Sequence, residues 1–150
     1  EDFILKVFEV MKQADWHSFQ VLTKRPNRLV YMTPKILQVI SPSSTENLEW
    51  PSHIWMGVSV ETPNYYWRID QLRRVPAKTR FVSAEPLLDS LREIDLSGIH
   101  WLIAGGESGV EHRVCNPGWV RELRDRCTSE KSHFSLSSGE AEPQKLGGVY

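Results

Sequence analysis

The chain reads as an α/β protein in which parallel strands alternate with helices, and three observations lead there. Short apolar runs recur and end on carboxylates: Ile54-Trp55-Met56-Gly57-Val58-Ser59-Val60 runs into Glu61, and Arg80-Phe81-Val82-Ser83-Ala84 into Glu85. Ile99-His100-Trp101-Leu102-Ile103-Ala104 ends in Gly105-Gly106-Glu107-Ser108-Gly109. Stretches of helical periodicity lie between the runs, and several open on Pro or Asn, which suit helix starts. Buried parallel strands carry near-continuous apolar runs, and their carboxyl ends form the sites of such sheets and barrels.

The elements follow in order. Phe3, Val7, Phe8 and Met11 recur at helical spacing and predict an amphipathic helix over 2–13, with Asp2 as its cap. Ser18 to Thr23 forms a first strand, followed by Lys24-Arg25-Pro26. Pro26 opens a helix that Leu29, Met32, Ile36, Leu37 and Ile40 carry to about residue 40, with Pro34 as a break or restart. Residues 41–47 have loop chemistry. The second strand spans 53–60. Thr62-Pro63-Asn64 opens a helix with Tyr66, Ile69 and Leu72 inward, ending at Val75-Pro76. The third strand is 79–84, and Pro86 forces a turn. Asp89 to Ile94 forms a short helix, and 99–104 is the fourth strand. Asn116-Pro117 caps a helix that runs to about Thr128 on Trp119, Val120, Leu123 and Cys127. A parallel sheet or a barrel fits this alternation. Residues 1–131 are assigned to that domain. Residues 132–150 form a divergent, poorly ordered tail, although a fifth strand is due at Ser132 to Gly139.

Composition narrows the function classes. The 150 residues carry a formal charge of −1 with 40% hydrophobic residues, which suits one domain with a core. The balance gives no sign of a nucleic-acid or membrane-surface partner. Interleaved aromatic and basic residues at Tyr65-Tyr66-Trp67-Arg68, Arg73 and Arg74 fit a helix over a sheet better than a nucleic-acid surface. No apolar run reaches the ~18 residues of a membrane span. Cys115 and Cys127 form neither a ligand cluster nor a disulfide framework, so a reducing cytoplasm is the default. The first residues, Glu1-Asp2-Phe3, are not a signal peptide and lack Met, which points to a fragment.

The candidate site is the set of strand ends. Glu61, Glu85 and Glu107 share one pocket, where carboxylates bind an amino group, hold a cation or act as acid and base. The alternative is solvated loop acids paired with arginines. Ser59 and Ser83 precede two of these acids by two residues, which puts each on the face of its Glu, as a ligand donor or a strand-end polar group. Lys24 and Arg25 stand before a helix and either bind an anion or pair with one of the glutamates. Gly105-Gly106, ahead of Glu107 and Ser108, lets a ligand approach the backbone closely. His112 and Arg113 are surface residues of the next loop. Cys127 is a packed thiol. Cys115 lies before a helix N-terminus, which favours a thiolate, but it is assigned as a bystander. No nucleophile–base pair emerges, so catalytic residues stay unknown, and no metal ligand set is present.

In the stretches Phe19-Gln20-Val21-Leu22-Thr23-Lys24-Arg25-Pro26, Gly57-Val58-Ser59-Val60-Glu61, Phe81-Val82-Ser83-Ala84-Glu85-Pro86-Leu87-Leu88, Gly105-Gly106-Glu107-Ser108-Gly109 and Trp119-Val120-Arg121-Glu122-Leu123-Arg124-Asp125, the chain resembles the phage gp-thirty-seven/gp-sixty-eight family. That family is grouped with radical-SAM-like TIM-barrel proteins. The resemblance implies a partial (β/α) barrel of that type, with Lys24, Ser59, Glu61, Ser83, Glu85, Gly105, Gly106, Glu107 and Ser108 lining the cofactor or substrate pocket. In intact relatives it implies an iron–sulfur cluster and S-adenosylmethionine, held through an N-terminal Cys-rich segment that has no counterpart here. The chain is then a truncated or degenerate phage-derived member without catalytic activity and without a cofactor of its own. The alternatives are a non-catalytic anion- or nucleotide-binding module and a phage-derived interaction protein. Its expected partners are a small-molecule ligand, a missing N-terminal segment, or a second copy through exposed strand edges. Relatives carry Phe-Lys-Gln-Trp-Gly where this chain reads Ser132 to Gly139. Codons chosen for that stretch give such a strand when shifted by two bases, so a frame slip is expected, and the nucleotide sequence decides it.

Overall fold

The computed structural model describes residues 1–41 and 49–137. The order is α1 (Asp2–Gln13), β1 (Phe19–Thr23), α2 (Pro26–Ile40), β2 (Ile54–Ser59), a 3₁₀ turn (Pro63–Tyr65), α3 (Trp67–Arg73), β3 (Arg80–Ala84), β4 (Trp101–Ala104), α4 (Pro117–Glu130) and β5 (His133–Leu136). The strands form one sheet in the order β1-β2-β3-β4-β5, every pair parallel. Among the described residues the sheet is not closed. Parallel neighbours require crossovers, and right-handed crossovers taken in chain order place every helix on the same side.

Burial bears this out. Ile54, Met56, Val58, Val82, Ala84, Leu102 and Ala104 are buried in one cluster with Phe8 and Met11 of α1, Leu29, Met32 and Ile36 of α2, Ile69 and Leu72 of α3, and Leu123 and Cys127 of α4. Phe81 is buried outside that cluster. Strand alternation puts it on the other face, with Leu22, Trp55, Ser59, Ser83, Trp101 and Ile103. We call this the open face. At its centre the Phe81 ring lies where a Cβ on Gly57 would sit, so only glycine fits there. Below it, Trp55 and Trp101 meet edge-to-face at 5.5 Å, and Trp101 donates to Ser135 Oγ at 2.9 Å.

Several expectations change. Pro34 does not break α2, which runs unbroken through it. The buried stripe of Leu29, Met32, Ile36 and Ile40 holds the helix together, and each such side chain contributes about 1.5–3 kcal/mol. Thr33 Oγ1 also donates to Leu29 O at 2.9 Å inside the same turn. Residues 89–94 form turns rather than a helix. Ser90 N is held by Asp89 Oδ1 at 2.7 Å, so a local side chain competes with the helical bond while Leu91 and Ile94 are drawn into the core. Asp2 does not cap α1; Glu1 holds that position without a side-chain cap bond. Asn116 does cap α4, accepting from Gly118 N at 2.8 Å.

The sheet also runs past residue 131, where the domain boundary was expected. Lys131 takes a left-handed turn at φ 57°, and His133–Leu136 then pairs with Trp101–Ala104. The polar letters of β5 are tolerated because it lies at an edge. Residues 138–150 of the expected tail lie outside the described residues.

The amino end of the sheet is tied by arginine. Arg80 donates to Gly98 O at 2.8 Å, Val75 O at 3.2 Å and Ala77 O at 3.0 Å. Arg73 donates to Ser97 O at 2.8 Å and Asp95 O at 2.7 Å.

Candidate functional site

All the predicted site residues lie at or just beyond the carboxyl ends of β1 to β4, on one rim. The segment after β3 crosses this rim. Leu87 N donates to Gly105 O at 2.8 Å and Leu88 N to Glu61 O at 3.0 Å, which ties the ends of β2, β3 and β4 together. The Glu85–Pro86 peptide is cis.

The three carboxylates meet different partners. Glu61, with a side chain 7% exposed, pairs with Lys24 and with Arg68, whose Nη1 is 3.1 Å from Oε2. Arg68 Nη1 also donates to Ser59 O at 2.8 Å, and its guanidinium lies 3.9 Å from the centre of the Tyr65 ring. Burial pushes the Glu61 carboxyl up. The hydrogen bond from Lys24, a backbone contact and the two positive charges outweigh that and leave it below the usual carboxylate range. The ion-pair reading of Lys24 therefore holds. Arg25 instead has its backbone N on Thr23 Oγ1 at 3.0 Å.

Glu107 is clasped within its own loop. Arg113 Nη2 and Nε reach Oε1 and Oε2 at 2.6 and 2.8 Å, and Arg113 N donates to Oε2 at 2.9 Å. The Arg113 side-chain hydrogen bonds hold this carboxyl at about 2. His112 Nδ1 contacts Gly109 O at 2.9 Å, and Ser108 and Gly109 are exposed.

Glu85 is different. Its contacts are hydroxyls: Ser137 Oγ donates to Oε1, and Ser83 Oγ to Oε2 at 3.4 Å. No cation pairs with it among the described residues. Gly105 lies against it, and a Cβ there would overlap Ser137 Oγ and stand 2.8 Å from Glu85 Oε1. The close-approach argument for Gly105 therefore applies to Glu85 itself. Gly106 faces Cys115, whose Cβ would lie 3.4 Å from an added methyl. Ser137 is the contact that sequence reasoning missed. The signal was there in the βα alternation, because the residue after a fifth parallel strand reaches the same rim.

No group of three or more His, Cys, Asp or Glu that could hold a metal ion occurs among the described residues. The thiols do not suit a cluster either. Burial pushes the Cys115 thiol up, away from the thiolate that a helix N-terminus favours, and raises Cys127, inside α4, to about 11. An apolar cavity of about 280 Å³ lies between α1, β1 and α2 and reaches Thr23 and Arg25 at the carboxyl end of β1.

A parallel sheet wound in one direction, with charged and hydroxyl side chains gathered at its carboxyl edge, defines an α/β protein whose described strands form one open, all-parallel sheet. Over residues 1–146 the chain matches the family described as Protein of unknown function (DUF5131), and it belongs to that family. None of the curated proteins and none of the solved structures matches it. No helix of the described residues is long and apolar enough to cross a membrane.

Proposed function

We propose that the rim binds a small molecule carrying an ammonium group, with Glu85 as its acceptor, and that the chain is a non-catalytic member of the radical-SAM-like group its motifs resemble. The observation that carries this is the difference among the three acids. Glu61 and Glu107 are neutralised by arginine or lysine, and Glu85 holds only hydroxyls. A carboxylate offers about four lone-pair positions, so two serine donors leave room for a ligand. Lys24, on the same rim, stays paired with Glu61, so no contact with an anionic end of the ligand is assigned to it. S-adenosylmethionine, the molecule implied by the resemblance, has both an ammonium and a carboxylate. A cysteine-held iron–sulfur cluster does not fit the two thiols of these residues, so no reaction step is assigned.

Thermal unfolding with S-adenosylmethionine, S-adenosylhomocysteine and methionine tests this. A ligand at about 100 times its Kd adds ~2.7 kcal/mol, which raises Tm by roughly 5–10 °C for a domain of this size. Glu85→Gln should abolish the shift, and Glu107→Gln should keep it, because Arg113 already occupies that carboxylate. If none of the three compounds moves Tm, or if Glu85→Gln responds like the parent chain, the assignment is wrong.

A further inference from the structure

We infer that Arg68 holds the carboxylate of a small monoanionic ligand on the edge of its guanidinium formed by Nε and Nη2. The side chain is nine-tenths buried, with 10% of its surface exposed. Its hydrogen bonds both leave from Nη1, to Ser59 O at 2.8 Å and to Glu61 Oε2 at 3.1 Å. Nε is buried without a hydrogen-bond partner, and Nη2 makes no hydrogen bond among the described residues. Buried donors in folded proteins are almost always satisfied, because an unmet donor forfeits its hydration and gains nothing. The two unused groups form a pair. Nε–H and one Nη2–H point the same way, at the spacing of the two oxygens of a carboxylate.

The guanidinium is held in place for this task. The Tyr65 ring centre lies 3.9 Å from its central carbon and the Trp67 ring centre 5.9 Å. With the two bonds from Nη1, these rings fix its plane, so little freedom is lost when a ligand docks on the unused edge. Tyr65 and Trp67 are themselves 36% and 43% exposed, so the rings beside the guanidinium stand at the surface, where a ligand reaches them.

Charge selects the occupant. Lys24 and Arg68 share one carboxylate, that of Glu61, so the group of three carries one net positive charge. A monoanion cancels that charge, and a phosphate dianion overshoots it. Lys24 stays on Glu61 throughout, and the new contact falls on Arg68 alone. Glu85 takes no part, so the site stands apart from the ammonium reading of that residue. An internal water is the competing acceptor, and it would meet Nε without responding to any added anion.

The Nε–H signal of Arg68 in proton–nitrogen correlation spectra of the isotope-labelled full chain, assigned through its own side-chain carbons, tests the inference. Sodium propionate, raised to roughly 50 mM at constant ionic strength, should move this signal saturably, with half-saturation on the order of millimolar. Chloride should leave it in place, and inorganic phosphate should act only at higher concentration than propionate. Arg68→Lys keeps a positive charge beside Glu61 and removes the fork. It should weaken propionate binding at least about tenfold, read from the Trp67 indole N–H. The parent signal decides the matter by itself should that variant lose its circular dichroism. Glu85→Gln should respond to propionate as the parent chain does, so the two readings of the rim fail separately. An Arg68 signal that propionate does not move, that chloride moves equally, or that phosphate moves at the same or lower concentration overturns the inference. So does a folded Arg68→Lys chain that binds propionate as well as the parent, or a long-lived water on Nε–H that persists at the highest propionate concentration.

Discussion

The two faces of the sheet are built from the same strands and obey different rules. Toward the helices, Ile54, Met56, Val58, Val82, Ala84, Leu102 and Ala104 are buried in one continuous cluster with residues of all four helices. Toward the open side, the alternate positions are Leu22, Trp55, Gly57, Ser59, Phe81, Ser83, Trp101 and Ile103, grading from aromatic at the amino end to hydroxyl and carboxylate at the rim. The difference shows where the fold is held and where chemistry is permitted. A polar group facing the helices would be stranded without a partner. On the open side, buried Ser83 donates to Glu85, which lies part-exposed at the rim.

Paired substitutions sharpen that contrast. Leu102→Ala, on the helix side, should cost about 3–5 kcal/mol in chemical denaturation, because it deletes a fully buried side chain and leaves a cavity. Leu22→Ala, on the open side and 48% exposed, should cost under about 1 kcal/mol. Equal costs would erase the distinction between the faces. The rim gives a smaller effect. Arg68→Met removes one of two cations from buried Glu61 and should cost about 2 kcal/mol, less than a fully broken buried pair because Lys24 remains. Glu61 sits below its unfolded value, so its contribution is complete above the ordinary carboxylate pKa of 4.5 and disappears as pH falls through the folded value. Glu61→Gln should accordingly flatten the acid limb of the stability profile. The smallest effect on stability belongs to Arg113→Ala, on an exposed loop. Its signature is local: the Glu107 carboxyl resonance, titrating at about 2 in the parent chain, should move back toward 4.5.

The contrast also explains how much of the molecule is visible in its letters. Strands 54–59, 80–84 and 101–104 announce themselves because burial on the helix side demands apolar residues at alternate positions, and the residue after each strand has to lie on the carboxyl rim. That logic places Glu61, Glu85 and Glu107 correctly along the rim. It does not reveal which of them is neutralised. Arg68 approaches from the turn of α3 and Arg113 from six residues along the same loop, and neither spacing has a period that a sequence displays. The Gly-Gly pair directs attention to Glu107, yet Gly105 makes room for Glu85. Strand β5 escapes for the opposite reason. As an edge strand with half-exposed or exposed residues, it needs no apolar run, and His133-Phe134-Ser135-Leu136 looks like loop. Pro34 and residues 89–94 mislead because local rules there yield to core contacts made by Met32, Ile36, Leu91 and Ile94.

One side chain at the far end of the strands carries a lesson about how such a scaffold changes over time. The guanidinium of Arg80 donates through Nε and Nη1 to main-chain oxygens of two separate connections, so the underside of the molecule is riveted by groups that any sequence supplies. On the upper side the segment after β3 is pinned by main-chain bonds from Leu87 to Gly105 and from Leu88 to Glu61, whereas the loop after β4 is held by its own Arg113–Glu107 pair and can exchange its charges while the floor beneath it stays in place. Descendants of this architecture are therefore free to alter what they hold without altering what holds them up.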